Sequence, residues 1–325
     1  MAYTSIASVN DRYGNRIFHL YESFAPGGMR QKRNHRHAEF EVSFILAGSG
    51  LYSTPLGEVS IREGDVFLFS SNEYHNIIKV DGAEDGIGMH ILNVHFLAGF
   101  LCDGASAADS LFMNVFLNRT PHFCNRLNRD EEALGEIRRW LLSLRDECVR
   151  RDPCYITQVK NLLTTVLITI LRRFGYADLS RSTLPEPDFM DDLQKALSYI
   201  NANYTGEISL DGIAAAVNQS RFRFAKAFRA AYNMTTWDYI NIRRIDRARE
   251  LLAGTDDTVL AVATRCGYNN TANFNRIFKK ITGITPHEYR AVHRQTDRPA
   301  AGTTATDASM VPTAPEGDRS QHPHG

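Results

Sequence analysis

A chain of 325 residues is long enough for two domains, each with its own core. Its 37 basic and 37 acidic residues cancel, but between Ser220 and Arg290 thirteen basic side chains face six acidic ones, so a neutral total hides one basic segment. Five scattered cysteines with no C-x-x-C pair argue against a disulfide framework and a zinc ribbon. No apolar stretch approaches membrane length and MAYTSIASVNDRYG lacks a signal core, so a soluble, cytoplasmic chain with no membrane partner and no cofactor is expected.

From about Ile17 to Leu97 the chain reads as short strands. Phe40 to Leu46 is rich in β-branched and aromatic residues, and Gly48 and Gly50 mark a turn. Leu51 to Leu56 continues as a strand to the turn at Pro55-Leu56-Gly57, and Val59 to Phe69 reads strand, turn, strand around Arg62-Glu63-Gly64-Asp65. Such strands between glycine-rich turns predict a small β-barrel or sandwich of jelly-roll type, with Phe44, Tyr52, Phe67 and Phe69 mostly in its core.

Within it, Gly28, His35-Arg36-His37, Glu41 and Gly48 keep the spacing of the first cupin motif, which this region resembles. The second motif is weaker: Gly64 and His75 are in place, but Ser70, Asn72 and Lys79 replace proline, glycine and asparagine. Strand alternation would put His35, His37 and Glu41 on one face. The resemblance implies that residues matching His35, His37, Glu41 and His75 hold a metal in cupin enzymes, and three imidazoles with a carboxylate suit a transition metal. Without a metal, His35, His37, Glu41 and His75 would serve as hydrogen-bonding wall residues of a pocket. Metal ligation by the same four residues, in a metal-dependent cupin enzyme with an appended DNA-binding module, is the alternative.

Periodicity is poor from Ala98 to Phe123, which reads as short helix and loop. Leu134 to Leu144 and Ile156 to Leu171 then form two amphipathic helices separated by Asp152-Pro153, packed antiparallel. The second is apolar over more than one face, which predicts a subunit contact and a homodimer. The polar, proline-bearing stretch GYADLSRSTLPEP marks a linker, placed at 179–188 between a strand-rich, cupin-like domain at 1–178 and a second domain at 189–292. The tail, 293–325, carries few large apolar groups and is expected to be disordered.

Between Ile208 and Tyr289 the same pattern occurs twice. Leu210, Ile213, Ala214 and Val217 line one face of a short helix, Asn218-Gln219 break it, and Ser220 caps the next. There Phe224 and Phe228 face inward, leaving Arg221, Arg223, Lys226 and Arg229 outside. In the second copy Val259, Val262 and Ala263 are the buried stripe, Gly267 the turn, and Asn269 or Asn270 the cap. Phe274 and Phe278 repeat the aromatic pair, with Thr271, Asn275, Arg276, Lys279 and Lys280 exposed. Each copy is a helix-turn-helix whose second helix fits a major groove. A helix from about Thr236 to Leu252 joins them and holds the readers roughly one DNA turn apart.

The copies, above all GYNNTANFNRIFKKITGITPHEYR with its closing Thr285, Pro286, Tyr289 and Arg290, resemble the AraC/XylS family of transcription regulators over about Met190 to Arg290. Asn233 stands where the family usually has glycine, and asparagine tolerates the left-handed turn. The fold class expected is multi-domain α+β: a cupin-like barrel with two following helices, then an all-α double helix-turn-helix domain. The resemblance implies a sequence-specific regulator rather than an enzyme, with double-stranded DNA, a small polar effector such as a carbohydrate, held without metal in a barrel pocket walled by His35, His37, Glu41 and His75, and RNA polymerase as partners. Arg223 and Lys226 would donate to guanine and Phe222 would lie against thymine methyls. Thr271, Asn275 and Arg276 match the family's base-reading positions, while Arg221, Arg229, Lys279 and Lys280 would anchor phosphates.

Overall fold

The computed structural model describes residues 2–29, 35–82, 88–102, 111–180 and 187–295. Nine strands come first: β1 (Ala2–Asn10), β2 (Arg16–Ala25), β3 (Gly28–Met29), β4 (Phe40–Ala47), β5 (Gly50–Thr54), β6 (Gly57–Ile61), β7 (Val66–Phe69), β8 (Asn76–Val80) and β9 (Met89–Phe96). They form two antiparallel sheets, ordered β1-β2-β9-β4-β7 and β3-β8-β5-β6. Among the described residues the sheets pack as a jelly-roll sandwich and do not close into one hydrogen-bonded barrel. Strand β1 was absent from the expected elements. Its sequence AYTSIASVN has no strong apolar alternation, and pairing along β2 at the sheet edge decides its conformation.

Alternation gives the large sheet two different faces. One buries Phe18, Leu20, Phe40, Val42, Phe44, Val94 and Phe96 in the main core. Packed into that core are α1 (Ala98–Leu101), a 3-10 turn (Leu111–Met113), α2 (Asn114–Leu117), α3 (Ala133–Arg150) and α4 (Tyr155–Arg173). The face toward the small sheet is divided. Ile45, Tyr52, Phe67, Phe69, Ile77, Met89 and Ile91 make an apolar cluster, as expected for Tyr52, Phe67 and Phe69. At the other end Tyr21, Ser23, Glu41, Ser43, Asn93 and His95 follow the two-residue period and stand in paired register, Glu41 opposite His95 and Ser43 opposite Asn93. A polar pocket is thus built into an otherwise apolar interior.

The rest is helical: α5 (Pro187–Asn203), α6 (Leu210–Ala216), α7 (Arg221–Tyr232), α8 (Thr236–Gly254), α9 (Val259–Arg265), α10 (Thr271–Thr282) and α11 (Pro286–Gln295). Pro187 and Asp188, assigned to the linker by composition, open α5, and α11 runs three residues past the expected boundary at 292. Residues 181–186 and 296–325 lie outside the described residues, and with them most of the expected linker and tail. Side-chain N-caps start the helices in turn. Ser209, Ser220, Thr235, Thr258 and Asn270 each accept the backbone N–H three residues on. At α11, Thr285 and Glu288 satisfy one another's backbone N–H groups as a capping box.

Phe224, Phe228, Phe274 and Phe278 are fully buried, each contributing about 1.5–3 kcal/mol by leaving water. At 19 residues α8 spans about 28 Å and buries Tyr239, Ile240, Ile242, Ile245, Ala248 and Leu251 between the copies.

Candidate functional site

Two surfaces carry the chemistry: the reader helices, and the polar mouth of the strand domain that faces α8.

On α7 and α10 the sequence-based sorting into core and surface holds. Arg221, Phe222, Arg223, Lys226 and Arg229 are exposed on α7, as are Asn275, Arg276, Lys279 and Lys280 on α10, with Thr271 half-buried. Phe222 is 87% exposed, a projection that only a partner surface would cover. Some of these groups are already engaged. Arg221 reaches Asp211 at 3.5 Å. The Arg223 guanidinium lies over the Phe189 ring at 5.1 Å, packed back toward α5. Arg276 donates to Asn273 Oδ1 at 2.9 Å, which holds it along the helix. Asn273, exposed and one turn before Arg276, was not singled out from the sequence; its three-residue spacing is the available signal.

In the strand domain, His35, His37, Glu41 and His75 do come together, though not by the expected route. Strand β4 begins only at Phe40, so His37 precedes it, and His35 forms an isolated bridge with His75. His37 reaches Glu41 as the chain enters the strand. Glu41 Oε2 lies 2.8 Å from His37 Nε2, 3.1 Å from His75 Nε2 and 3.1 Å from His95 Nε2. His95 was missed, because nothing local links it to the motif. The long-range register between β4 and β9 brings it opposite Glu41. Asn72, standing where the second cupin motif has glycine, adopts φ 58°, so the substitution preserves the left-handed turn. At Gly48 a Cβ would lie 2.2 Å from Gly88 O, so only glycine fits that motif position.

The carboxylate is held from both sides, with Ser43 Oγ donating to Glu41 Oε1 and lying 3.1 Å from Asn93 Oδ1. Burial alone would raise Glu41, but His75, His95 and the His37 hydrogen bond hold its carboxyl well below the usual range. Burial would lower His37, and the hydrogen bond to Glu41 outweighs it, leaving His37 raised. Burial and neighbouring histidines lower His95, and depress His35 well below the ordinary imidazole value. Glu39, despite burial, is brought to about 2 by His37 and His95.

This mouth opens on a cavity of about 900 Å³ between the two domains. His19, Tyr21, His35, His37, Glu39 and His95 line it from the strands, and Ser198, Asn201, Tyr239, Arg243, Asp246 and Arg249 from α5 and α8. Glu41 and His75 lie behind these first residues. A polar relay borders the cavity: Asn201 Nδ2 donates to Asn15 Oδ1 at 2.8 Å, and Arg243 Nε donates to Asn201 Oδ1 at 3.1 Å. Asn15 also donates to Gln194 O, and Ser198 Oγ to Tyr13 O, so the β1–β2 hairpin is bound to α5. Two polar atoms near this seam, Arg36 Nε and Arg249 Nε, are buried without a hydrogen-bond partner among the described residues.

Comparison with known proteins supplies the class. Residues 25–144 match the model of the AraC-like ligand binding domain, and residues 213–291 match a helix-turn-helix domain. The chain is 24% identical over 284 residues to the HTH-type transcriptional activator RhaR of Enterobacter sp. (strain 638), covering 87% of this chain and 90% of that one. It is 21% identical over 274 residues to the melibiose operon regulatory protein of Escherichia coli (strain K12), covering 81% and 84%. Among solved structures it resembles ToxT from Vibrio cholerae with a TM-score of 0.50 at 13% identity, covering 84% of this chain and 97% of that one, a likeness of fold. No helix among the described residues is long and apolar enough to cross a membrane. With a ligand-binding strand domain joined to paired reader helices, the chain belongs to the AraC family of transcription regulators.

Proposed function

We propose that the chain is an effector-gated transcription activator in which a small polar molecule, a carbohydrate, binds between the strand domain and α8. The observation that supports this most directly is the cavity of about 900 Å³, within the usual range for small-molecule sites and lined by both domains. A ligand there touches the sensing histidines and the rod joining the readers at once, so its occupancy changes how the readers are held. The resemblance to a melibiose operon regulator favours a sugar, whose hydroxyls suit the mixed donors and acceptors of His35, Glu39, Asn201, Arg243 and Asp246. Among the four residues assigned to the effector, His35 and His37 would contact it, while Glu41 and His75 would hold them in place.

On DNA, Lys226, Thr271, Asn275 and Arg276 would read base edges, with Phe222 against thymine methyls. Arg221, Arg229, Lys279 and Lys280 would anchor phosphates. Arg223, turned onto Phe189, would contribute less to readout than its sequence position implies. Two chains would pair through α3 and α4, where Val149 is 64% exposed.

The test is a thermal-shift screen of mono- and disaccharides on the full chain, followed by gel-shift titration on a selected operator. A cognate sugar should raise the melting temperature by linkage and change operator affinity by roughly 5- to 150-fold. If no sugar alters operator affinity, the carbohydrate reading fails.

A further inference from the structure

We propose that the effector is an acidic sugar, a polyhydroxy ring or chain bearing one carboxylate, and that Arg243 on α8 grips that carboxylate. This rests on the reading that the cleft between the domains receives the effector, and it narrows the chemistry of what enters.

Charge pairing in the cleft is the first reason. Three carboxylates line the cavity, Glu39, Asp246 and Glu250, and each has its own guanidinium. Arg16 Nη2 lies 3.5 Å from Glu39 Oε1, Arg249 Nη1 3.1 Å from Asp246 Oδ1, and Arg247 Nη1 2.7 Å from Glu250 Oε2. Arg243 lines the same cavity and forms no ion pair among the described residues. A guanidinium keeps its charge at any physiological pH, so this wall carries a cation without a counter-ion. A carboxylate on the ligand supplies one. A neutral sugar would displace the water around Arg243 and leave its charge unbalanced.

Orientation is the second reason. Arg243 Nε donates to Asn201 Oδ1 at 3.1 Å, and Asn201 Nδ2 donates to Asn15 Oδ1 at 2.8 Å. Asn15 Nδ2 in turn donates to Asp11 Oδ2 and to Gln194 O. Asn15 is 4% exposed, so a buried polar chain ends on the guanidinium and holds it by one nitrogen. The two terminal nitrogens donate to nothing among the described residues. Together they form a planar edge that can meet both oxygens of a carboxylate at once. Because the fork is held in advance, it loses little freedom when a ligand arrives.

The opposite wall suits the rest of the molecule. His19 stacks on Tyr21 with centroids 4.8 Å apart, and Tyr3 meets Tyr21 edge-on at 5.8 Å. All three line the cavity, and Tyr3 keeps 67% of its surface exposed. The carbon face of a sugar ring would cover this shelf while its hydroxyls reach His35 and Glu39. Position then gives the grip its consequence. Arg243 belongs to the rod joining the readers, and Asn15 to the β1–β2 turn of the strand domain, so a bound carboxylate bears on both through one guanidinium.

The experiment is calorimetry on the full chain with matched pairs, followed by operator titration with each sugar. The pairs are D-galacturonate and D-galactose, D-glucuronate and D-glucose, and D-gluconate and D-glucitol. In at least one pair the acid should bind about 10- to 100-fold tighter, and the change in operator affinity should follow the acid. Arg243→Gln should abolish that preference, whereas Arg243→Lys, which keeps the charge without the fork, should retain part of it. A merely structural role for Arg243 would weaken both members of a pair equally. Circular dichroism and effector-free operator binding report whether the variants fold, and the wild-type preference is read without any variant. Neutral sugars that bind as tightly as their acids, a preference that survives Arg243→Gln, or equal loss of both members overturns the acidic sugar and leaves the cleft reading standing. If no member of any pair binds, the carbohydrate reading falls with it.

Discussion

In the first helix-turn-helix unit the turn after the reader helix is closed by Asn233 at φ 50°, and in the second by Gly283 at φ 81°. Both satisfy the left-handed C-cap, but only asparagine has a side chain to spend, and Asn233 Nδ2 donates to Ser70 Oγ of the strand domain at 3.0 Å. The first unit is also tied to α5 of its own domain, where Gln219 donates to Asp192 and Arg223 covers Phe189. The second unit is bound within the DNA-binding domain, through Arg265 and Arg290 to Asp257 and Tyr268 to Asn241. One plan thus appears in two settings: through Asn233 the first copy is bonded to the sensor, whereas the bonds named for the second lie within its own domain. Communication from the effector cleft should therefore fall on the first copy.

The largest test of this comparison concerns what the copies share. Phe228 and Phe278 are equally buried, each in an aromatic cluster, with Tyr232 and Tyr239 or with Phe274 and Tyr289. Phe228→Ala and Phe278→Ala should each cost about 3–5 kcal/mol in urea unfolding of the helical domain. A difference of more than about 2 kcal/mol would mean that the cores are not equivalent.

Next come the readers. Arg276→Ala should weaken operator binding by about 1–3 kcal/mol and relax base preference at one position, whereas Lys280→Ala should weaken specific and random duplexes alike. Arg223→Ala, in the reader helix of the first copy, should cost less at the operator, because its guanidinium is packed on Phe189. Equal losses on specific and random DNA for all three would dissolve the distinction between reading and anchoring.

Much of this arrangement was legible because it is local. Caps at Ser220 and Asn270, the paired phenylalanines and the turn at Gly267 all act within about four residues, the range over which helical period and capping operate. The motif residues His35, His37, Glu41 and His75 could be named for the same reason. His95 could not, since its role depends on β9 lying between β2 and β4, a pairing decided by the whole sheet. A retrospective signal exists: in MHILNVHF, Asn93 and His95 keep the two-residue period of Ile91 yet are polar. The interdomain cleft was equally hidden, because no single stretch encodes the approach of α8 to the strand domain.

The caps offer a smaller effect. Asn270 Oδ1 accepts from Asn273 N at 3.0 Å, while Ser220 Oγ accepts from Arg223 N at 3.4 Å. Asn270→Ala should cost about 1 kcal/mol and Ser220→Ala about half as much, read by amide exchange in the first turns of α10 and α7. The reverse order would imply that contact with α5 and the strand domain, and not the cap, sets the stability of α7.

The smallest effect on stability carries the most weight for the comparison. Asn233→Gly turns the first copy's C-cap into the second's, keeping the left-handed turn at a residue that adopts it without strain. It also removes the hydrogen bond to Ser70. Ser70→Ala removes the same bond from the other side and leaves the helix untouched. Stability should change by less than about 1 kcal/mol in either variant, and effector-free affinity for DNA should hardly move. If the bond helps transmit occupancy, both variants should shrink the effector-dependent change in operator affinity by roughly two- to tenfold, the range of one net hydrogen bond. The double variant should then add nothing, since each substitution already breaks the single contact. Additive losses would mean that the two residues act through different neighbours, and an intact effector response in both would move the coupling to the Asn15–Asn201–Arg243 relay against α8.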